Sequence, residues 1–221
     1  MTLHVIEVNS LVKKYNGRSA VLDGITFSID EGEFVMVCGK SGCGKTTLLN
    51  ILGGLDRPTS GSIAIDGESL GELSEDQLAK MRLEKIGFVF QDFNLLTDLT
   101  VKENIALPLQ FSRKKDNDRV NALLDKFDIR HIEKETANKI SGGEAQRVAI
   151  ARAMMNEPRI ILADEPTGNL DAENTVNVME MFGIVRKDFG ATIVLATHDM
   201  DLSRHATARI FLENGHATVG P

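Results

Sequence analysis

Cysteine is scarce in this chain, and long apolar runs are missing. The 221 residues contain two cysteines, Cys38 and Cys43, which are too few and too close together for a disulfide framework, as expected of a reducing compartment. No stretch approaches the roughly 20 consecutive apolar residues that cross a bilayer. The first ten residues include Glu7 and have no continuous apolar core, so we expect neither a signal peptide nor a targeting segment.

Basic charge is also in short supply. The chain carries 25 Lys and Arg against 32 Asp and Glu, which gives a net charge of -7. A domain that binds duplex phosphates usually has a basic footprint, so we expect no nucleic-acid partner. Internal repeats and low-complexity tracts are absent, and the apolar share of 42% is ordinary for a globular protein.

Apolar runs at eight places predict β-strands. Residues 160–163 and 192–196 are apolar almost throughout, which is typical of strands covered on both faces of a parallel sheet. Turn-forming residues at 30–33, from Gly61 and near Glu213 predict short antiparallel hairpins. We therefore expect an α/β fold with a mostly parallel sheet and an antiparallel β fringe. The predicted strands are 5–8, 25–29, 34–37, 63–65, 86–90, 160–163, 192–196 and 209–212.

Between residues 91 and 157 the strand pattern gives way to helical spacing. Apolar residues recur three and four apart over 101–109, 120–127 and 147–155. We expect one domain over residues 1–221, in which a core of 1–90 and 158–221 carries an inserted helical subdomain of 91–157.

A glycine-rich segment, GKSGCGKTT from Gly39, follows the apolar run FVMVC and fits G-x-x-x-x-G-K-[ST] between a strand and a helix. Backbone N–H groups of such a loop and the helix dipole attract phosphate. Lys45 is expected at the β/γ-phosphates and the Thr46 hydroxyl at Mg²⁺. The candidate phosphate-binding residues are Gly39, Lys40, Ser41, Gly42, Cys43, Gly44, Lys45, Thr46 and Thr47. Cys43 is either an oxidation-sensitive thiol or simply a small residue that fits.

Two carboxylates, Asp164 and Glu165, follow the buried strand at 160–163, where ligands bind in open α/β sheets. Asp164 is expected to ligate Mg²⁺ opposite Thr46, and Glu165 to orient or deprotonate an attacking water. An acid pair capping a turn before Pro166 is the alternative, which the upstream phosphate loop disfavours.

The segment ISGGEAQR, which contains Ser141, joins these motifs to Gln91, to NLD ending at Asp171 and to THD containing His198. The ordered set resembles the ATP-binding subunit of ABC transporters. The phrases GFVFQDFNLL and LADEPTGNLD resemble in particular the stand-alone cassettes of lipoprotein release, macrolide export and antimicrobial-peptide export.

The resemblance implies a role for further residues. Tyr15 would stack on adenine, Gln91 would sense Mg²⁺ and the attacking water, and His198 would contact the γ-phosphate. The segment Ser141, Gly142, Gly143 and Glu144 would contact the nucleotide of the other subunit. The resemblance also implies a homodimer closed by ATP and Mg²⁺ and opened by hydrolysis. An integral membrane permease would dock near residues 91–109 and hold the chain at the cytoplasmic face of the membrane.

The segment departs from the common LSGGQ at Ile140 and Glu144. A carboxylate near a partner's triphosphate is unfavourable, and we expect Arg147, three residues further on the helix, to pair with it.

Two other functions are possible for a chain with these motifs: a soluble ABC-type ATPase in DNA repair, chromosome maintenance or translation, and a non-hydrolysing regulatory cassette. The chain has no long coiled coil, zinc-binding cysteine set or second cassette, and it retains Lys45, Asp164, Glu165 and His198.

Overall fold

A computed structural model describes residues 4–15, 19–112 and 116–220. Its centre is a six-stranded sheet of order β10-β9-β3-β8-β7-β6, in which all neighbours are parallel except β9 and β10. The strands of this sheet are β3 Phe34–Cys38, β6 Ile86–Phe90, β7 Ile160–Asp164, β8 Thr192–Thr197, β9 Ala208–Glu213 and β10 His216–Gly220. Every residue of β3 and β8 is buried, as expected of central strands covered on both faces.

A second, antiparallel sheet of order β2-β1-β4-β5 lies against the first. Its strands are β1 His4–Lys13, β2 Leu22–Asp30, β4 Ser60–Ile65 and β5 Glu68–Ser69. Asp66 and Gly67 turn the chain between β4 and β5 with φ of 54° and 77°. Asn214 and Gly215 do the same between β9 and β10 with φ of 51° and 83°, which suits a tight hairpin.

Six α-helices complete the described part of the chain. They are α1 Lys45–Leu52, α2 Glu75–Lys85, α3 Val101–Ser112, α4 Asn117–Lys126, α5 Gly142–Ala153 and α6 Ala172–Phe189. Short 3₁₀ turns cover Leu70–Glu72, Arg130–Ile132, Ala137–Lys139 and Met200–His205.

Two clusters of buried apolar side chains hold these layers together. One joins the two sheets to α1 and α2, with Ile6, Leu48 and Val194 among its members. The other joins the six-stranded sheet to the helices α3 to α6, with Phe34 and Phe182 among its members. Because this second cluster unites the helical segment with the sheet, the division at residues 91 and 157 stays a prediction.

The structure confirms the α/β class and places a strand at each of the eight predicted positions. The prediction of a hairpin at 30–33 is wrong. That turn connects β2 of the antiparallel sheet to β3 of the parallel sheet, so the flanking strands do not pair within the described chain. Helices α2 and α6 were not predicted.

Candidate nucleotide-binding site

The loop between β3 and α1 is shaped by glycines that no other residue replaces easily. A Cβ on Gly39 would lie 2.5 Å from the Leu212 carbonyl oxygen. Gly44 caps α1 with φ of 108°, and Gly42 has φ of 77°. This backbone leaves the first N–H groups of α1 facing the loop, which is the arrangement that attracts phosphate.

Lys45 lies across the mouth of this loop and is buried, with 6% of its side chain exposed. Its Nζ donates to the carbonyl oxygen of Gly39 at 2.9 Å and lies 3.3 Å from Glu165 Oε1. The other carboxylate oxygen of Glu165 lies 3.0 Å from His198 Nδ1. Glu165 has φ of 45°, a strained value for a residue with a side chain. The three predicted groups therefore meet at one carboxylate.

Asp164 ends β7 with a partly buried carboxylate. Among the described residues its Oδ1 is buried without a hydrogen-bond partner. Burial raises the pKa of Asp164 and the Glu165 carboxylate adds to the rise, whereas the Thr46 hydroxyl and Lys45 oppose it. A buried oxygen lacking a partner beside a threonine hydroxyl fits a hard cation such as Mg²⁺.

Gln91 follows β6 and is tied to the segment after the acid pair. Its Nε2 donates to Asn169 Oδ1 at 3.3 Å, and Asn169 Nδ2 donates back to the Gln91 carbonyl oxygen at 3.2 Å. Asn169 was not singled out from the sequence, although it lies within the NLD motif. This contact links the predicted glutamine to the loop that carries Glu165.

These elements surround a cavity of about 1110 Å³. Its walls include Lys40, Ser41, Thr46 and Thr47 of the loop together with Gln91, Glu165 and His198. Met200 and Phe211 contribute apolar surface that the sequence did not indicate. Within residues 4–15, 19–112 and 116–220, neither Tyr15 nor residues 141–144 belong to the lining.

The Cys43 side chain packs against the cluster between the sheets, and its thiol lies in the space that a Gly39 Cβ would need. It is absent from the cavity lining in the described chain. Of the two interpretations of Cys43, this placement favours a small residue that fits the available space, and it disfavours an oxidation-sensitive thiol.

Residues 141–144 form the start of α5. Ser141 is the N-cap, and Glu144 completes a capping box with it: Glu144 Oε2 accepts from the Ser141 N–H at 2.8 Å and from the Ser141 hydroxyl at 2.7 Å. The expected Arg147–Glu144 pair is wrong. Among the described residues, Glu144 Oε1 instead faces His131 Nε2 at 3.4 Å, and Arg147 faces Asp128 at 3.9 Å. Capping wins because it satisfies backbone donors at the same helix end.

Gly143 is fixed by a close neighbour. A Cβ there would lie 2.1 Å from Asn174 Oδ1 on α6. Asn174 Nδ2 is held by Asp171, the last residue of NLD, at 3.0 Å. The start of α5 is thereby packed on the segment that follows the acid pair.

Tyr15 lies just after β1, with 40% of its surface exposed. Its hydroxyl donates to Asp56 Oδ2 at 2.6 Å, and Lys13 Nζ lies 4.6 Å from the ring centroid. Burial and Asp56 raise the pKa of Tyr15, while the nearby Thr47 hydroxyl lowers it. Tyr15 is therefore beside the phosphate loop, held by two residues that the sequence did not indicate.

A second concave surface, the groove, has a volume of about 1120 Å³ between α2, β6, α3 and the end of α5. Leu55 and Phe111 line it with 51% and 70% of their surfaces exposed. It includes Asn94, Leu107 and Pro108 of the predicted permease-binding region but extends onto β6 and α2, whereas Gln91 lines the first cavity.

Arg152 forms one wall of the groove. Its guanidinium donates to the backbone carbonyl oxygens of Phe93 and Asn94. These two consecutive residues have φ of 59° and 49°, so the loop after Gln91 is strained where Arg152 holds it. Burial lowers the pKa of Arg152.

The phosphate loop, the acid pair and the shared cavity define a P-loop nucleoside triphosphatase. The sequence pattern of the family described as ABC transporter matches residues 22–168. A relative from Chlorobium chlorochromatii (strain CaD3), the lipoprotein-releasing system ATP-binding protein LolD 1, is 43% identical over 202 residues, which cover 90% of this chain and 82% of that protein. The chain therefore belongs to the ABC transporter family.

Solved structures agree with this assignment. The chain resembles MJ0796, a bacterial ABC transporter cassette solved as a dimer, with a TM-score of 0.88 and 38% identity over 97% of both chains. The same values hold for MJ0796 in a dimeric post-hydrolysis state bound to ADP and Pi. The chain also resembles cbiO1 from Clostridium perfringens, part of the transporter complex cbiONQ, with a TM-score of 0.90 and 28% identity over 98% of this chain and 88% of that one.

The chain is accordingly an ATP-binding subunit of a transporter complex and an ATPase, as the motifs implied. None of the helices in the described residues is long and apolar enough to span a bilayer.

Proposed function

We propose that two copies of this chain bind head to tail around two ATP molecules and drive a membrane permease, in a lipoprotein-release or export system. The main support for a dimer is that Ser141 lies outside the cavity that the other nucleotide-binding motifs share. The phosphate loop, Gln91, Glu165 and His198 share one cavity, while Ser141 starts a helix whose N–H groups lie outside that cavity in the described structure. The dimers of MJ0796 support the same arrangement.

The charges of the cavity support a division of labour around the triphosphate. Lys45 supplies a cation that exchanges its carbonyl partners for the β/γ-phosphates, and Tyr15 stacks on the adenine. Thr46, Asp164 and Gln91 would hold Mg²⁺, in agreement with the Asp164 Oδ1 that has no hydrogen-bond partner among the described residues. When bound, Mg²⁺ neutralises charge on the phosphate oxygens.

Glu165 orients the attacking water and accepts its proton. Its carboxylate lies between Lys45 and His198, so it reaches the part of the cavity where the γ-phosphate would lie. His198 fixes the carboxylate through Oε2 and presents its remaining ring nitrogen toward the γ-phosphate. Hydrolysis removes the phosphate that joins the two copies, and the pair opens.

The groove supports the permease partner. Exposed Leu55 and Phe111 together with Phe90 and Pro108 offer an apolar surface for a short helix, the kind of surface that marks a protein-binding site. We infer that this contact holds the chain at the cytoplasmic face of the inner or plasma membrane. A soluble cassette acting in DNA repair or translation would leave the groove without an occupant, and the net charge of -7 disfavours nucleic acid.

Glu165→Gln tests the central claim because it keeps the side-chain shape and removes the base. We expect the variant to bind ATP, form a stable dimer in light scattering and lose at least about 100-fold in phosphate release, the lower range for a positioned acid–base group. Glu180→Gln, an exposed change on α6, is the matched control and should behave as wild type. A Glu165→Gln chain that stays monomeric at saturating ATP, even with its permease, contradicts the proposal.

A further inference from the structure

The Tyr15 side chain is held by contacts with Asp56 and Lys13. Asp56 accepts from the Tyr15 hydroxyl through Oδ2 and from Lys13 Nζ through Oδ1, both at 2.6 Å. Lys13 also donates to the Arg57 carbonyl oxygen at 2.7 Å, and the Arg57 N–H donates to Asp56 Oδ1 at 2.7 Å. The Asp56 carboxylate therefore has donors on both oxygens.

The same contacts decide which parts of the ring are available. Lys13 is 8% exposed and places its ammonium group over one face of the ring, where a cation is attracted by the π electrons. Asp56 occupies the hydroxyl. Tyr15 remains 40% exposed, so a planar ligand has room at the ring, and the face opposite Lys13 is the one that this cation does not take.

Asp56 also connects this ring to the phosphate loop. Its N–H donates to the carbonyl oxygen of Asn50 in α1 at 3.2 Å, and α1 begins at Lys45. The residue that anchors the ring is therefore fixed to the helix that starts the phosphate cradle. Ring and cradle keep a set separation, which is the requirement for contacting the two ends of one nucleotide.

We propose that Asp56 and Lys13 are positioning residues that lock Tyr15 in the orientation in which its free face stacks on the nucleobase. We call Asp56 and Lys13, together with the contacts they make to Tyr15, the clamp. The clamp lowers the entropic cost of binding because the Tyr15 ring is already ordered when the base arrives. This inference rests on the proposed ATP site, and it assigns base affinity to two residues that do not touch the nucleotide.

The test compares a ligand that has a base with one that does not. ADP and pyrophosphate are titrated onto the full-length chain by calorimetry, pyrophosphate by competition. Asp56→Asn and Tyr15→Phe should each weaken ADP binding by about 2- to 12-fold, the range for ordering one side chain. Pyrophosphate affinity should change less than about twofold. The double variant should lose less than the product of the two single losses, because both substitutions act on the same hydroxyl–carboxylate bond.

Two further variants complete the design. Tyr15→Ala removes the ring itself and should weaken ADP binding more than Tyr15→Phe. Glu75 is an exposed carboxylate that lies 2.7 Å from the Arg57 guanidinium. Glu75→Gln removes one negative charge there, as Asp56→Asn does at its own position, but it does not change a contact of Tyr15. This control should leave both affinities unchanged. The chain has one tyrosine and no tryptophan, so its tyrosine fluorescence comes from Tyr15 alone. ADP should quench this emission and pyrophosphate should not.

The outcomes separate the clamp from the site on which it depends. An equal loss of ADP and pyrophosphate affinity in Asp56→Asn overturns the proposal, because it shows a structural role. Wild-type ADP affinity in Asp56→Asn and Tyr15→Phe, with weaker binding in Tyr15→Ala, also overturns it while keeping the stack. A wild-type chain that binds neither ligand refutes the proposed ATP site itself.

Discussion

Ser141 and Glu144 bond to each other in both directions at the start of α5. The carboxylate accepts from the serine N–H at 2.8 Å and hydroxyl at 2.7 Å, and the Glu144 N–H donates back to Ser141 Oγ at 3.4 Å. Hydrogen bonds from the Ser141 hydroxyl and then from the Ser141 N–H lower the pKa of Glu144, and His131 adds to the effect. The acid that replaces the usual glutamine thus caps the helix and competes with phosphate for the same serine donors.

The first prediction concerns ATP-driven association. In a Glu165→Gln background, Glu144→Gln should strengthen dimerisation by about 5- to 10-fold, equal to roughly 1–1.4 kcal/mol. A neutral amide oxygen accepts more weakly from Ser141 and does not repel the partner's triphosphate. Light scattering against ATP concentration measures the effect, with Glu135→Gln, an exposed change before α5, as the control. Unchanged or weaker association counts against it.

The second prediction is a pH dependence of stability. Because the pKa of Glu144 is lowered on folding, its ionised form stabilises the native state above its ordinary value of about 4.3. That contribution is lost as pH falls through the lower folded value. Wild type should exceed Glu144→Gln by about 0.3–1 kcal/mol near neutrality, as for a carboxylate at an exposed helix N-terminus. Urea unfolding at several pH values should show this difference vanish in acid; a constant difference would exclude the capping explanation.

The third prediction separates stability from function at Asp164. Its pKa is raised on folding, so the ionised carboxylate costs stability once pH exceeds the unfolded value of about 3.9, and the full cost is present above the folded pKa. Asp164→Asn should therefore raise the free energy of unfolding near neutral pH by roughly 1 kcal/mol, or about 2–4 °C in Tm. ATPase activity should fall by at least about 100-fold. Calorimetry and phosphate release measure the two effects, and a lower Tm would contradict the cost assigned to this charge.

The fourth prediction concerns Arg152. Lysine keeps the charge but cannot donate to both the Phe93 and Asn94 carbonyl oxygens in the same fork. Arg152→Lys should lower the ratio of permease-stimulated to basal ATPase activity by about 2- to 30-fold, the range for 0.5–2 kcal/mol of coupling. Arg186→Lys changes a cation outside the groove lining, one that donates to the Gly32 carbonyl oxygen at 2.7 Å, and serves as the control. An unchanged ratio in Arg152→Lys would remove this residue from the coupling.

The sequence predicted the strands and the phosphate loop because their signals are local. The nearly continuous apolar runs of β7 and β8, in a chain that also has a phosphate loop, indicate central strands of a parallel sheet. The sequence did not predict helix α2 because this helix buries only Leu78 and Met81, which leaves almost no periodic apolar pattern. The sequence did not predict helix α6 because its first half contains asparagine, threonine and valine, which are weak helix formers.

Contacts between distant residues that belong to no shared motif were beyond prediction. Tyr15 and Asp56 are 41 positions apart, and Arg152 and Asn94 are 58 apart, with no motif joining them. The Glu144 assignment failed for a different reason. Spacing on a helix favoured Arg147, but Ser141 and Glu144 also fit the capping pattern, and backbone donors at a helix end take precedence over an exposed ion pair.

Helix α5 gives the dimer a crossed connection. It runs from Gly142 to Ala153, and at the rise of an α-helix roughly 16.5 Å separates its N-cap Ser141 from Arg152 near its other end. In the proposed dimer, Ser141 touches the γ-phosphate held by the opposite copy, while Arg152 holds the loop beside its own groove. Each ATP molecule would then act on the permease helix docked to the other copy, so a heterodimer with one inactive phosphate loop would move the two halves of its permease unequally.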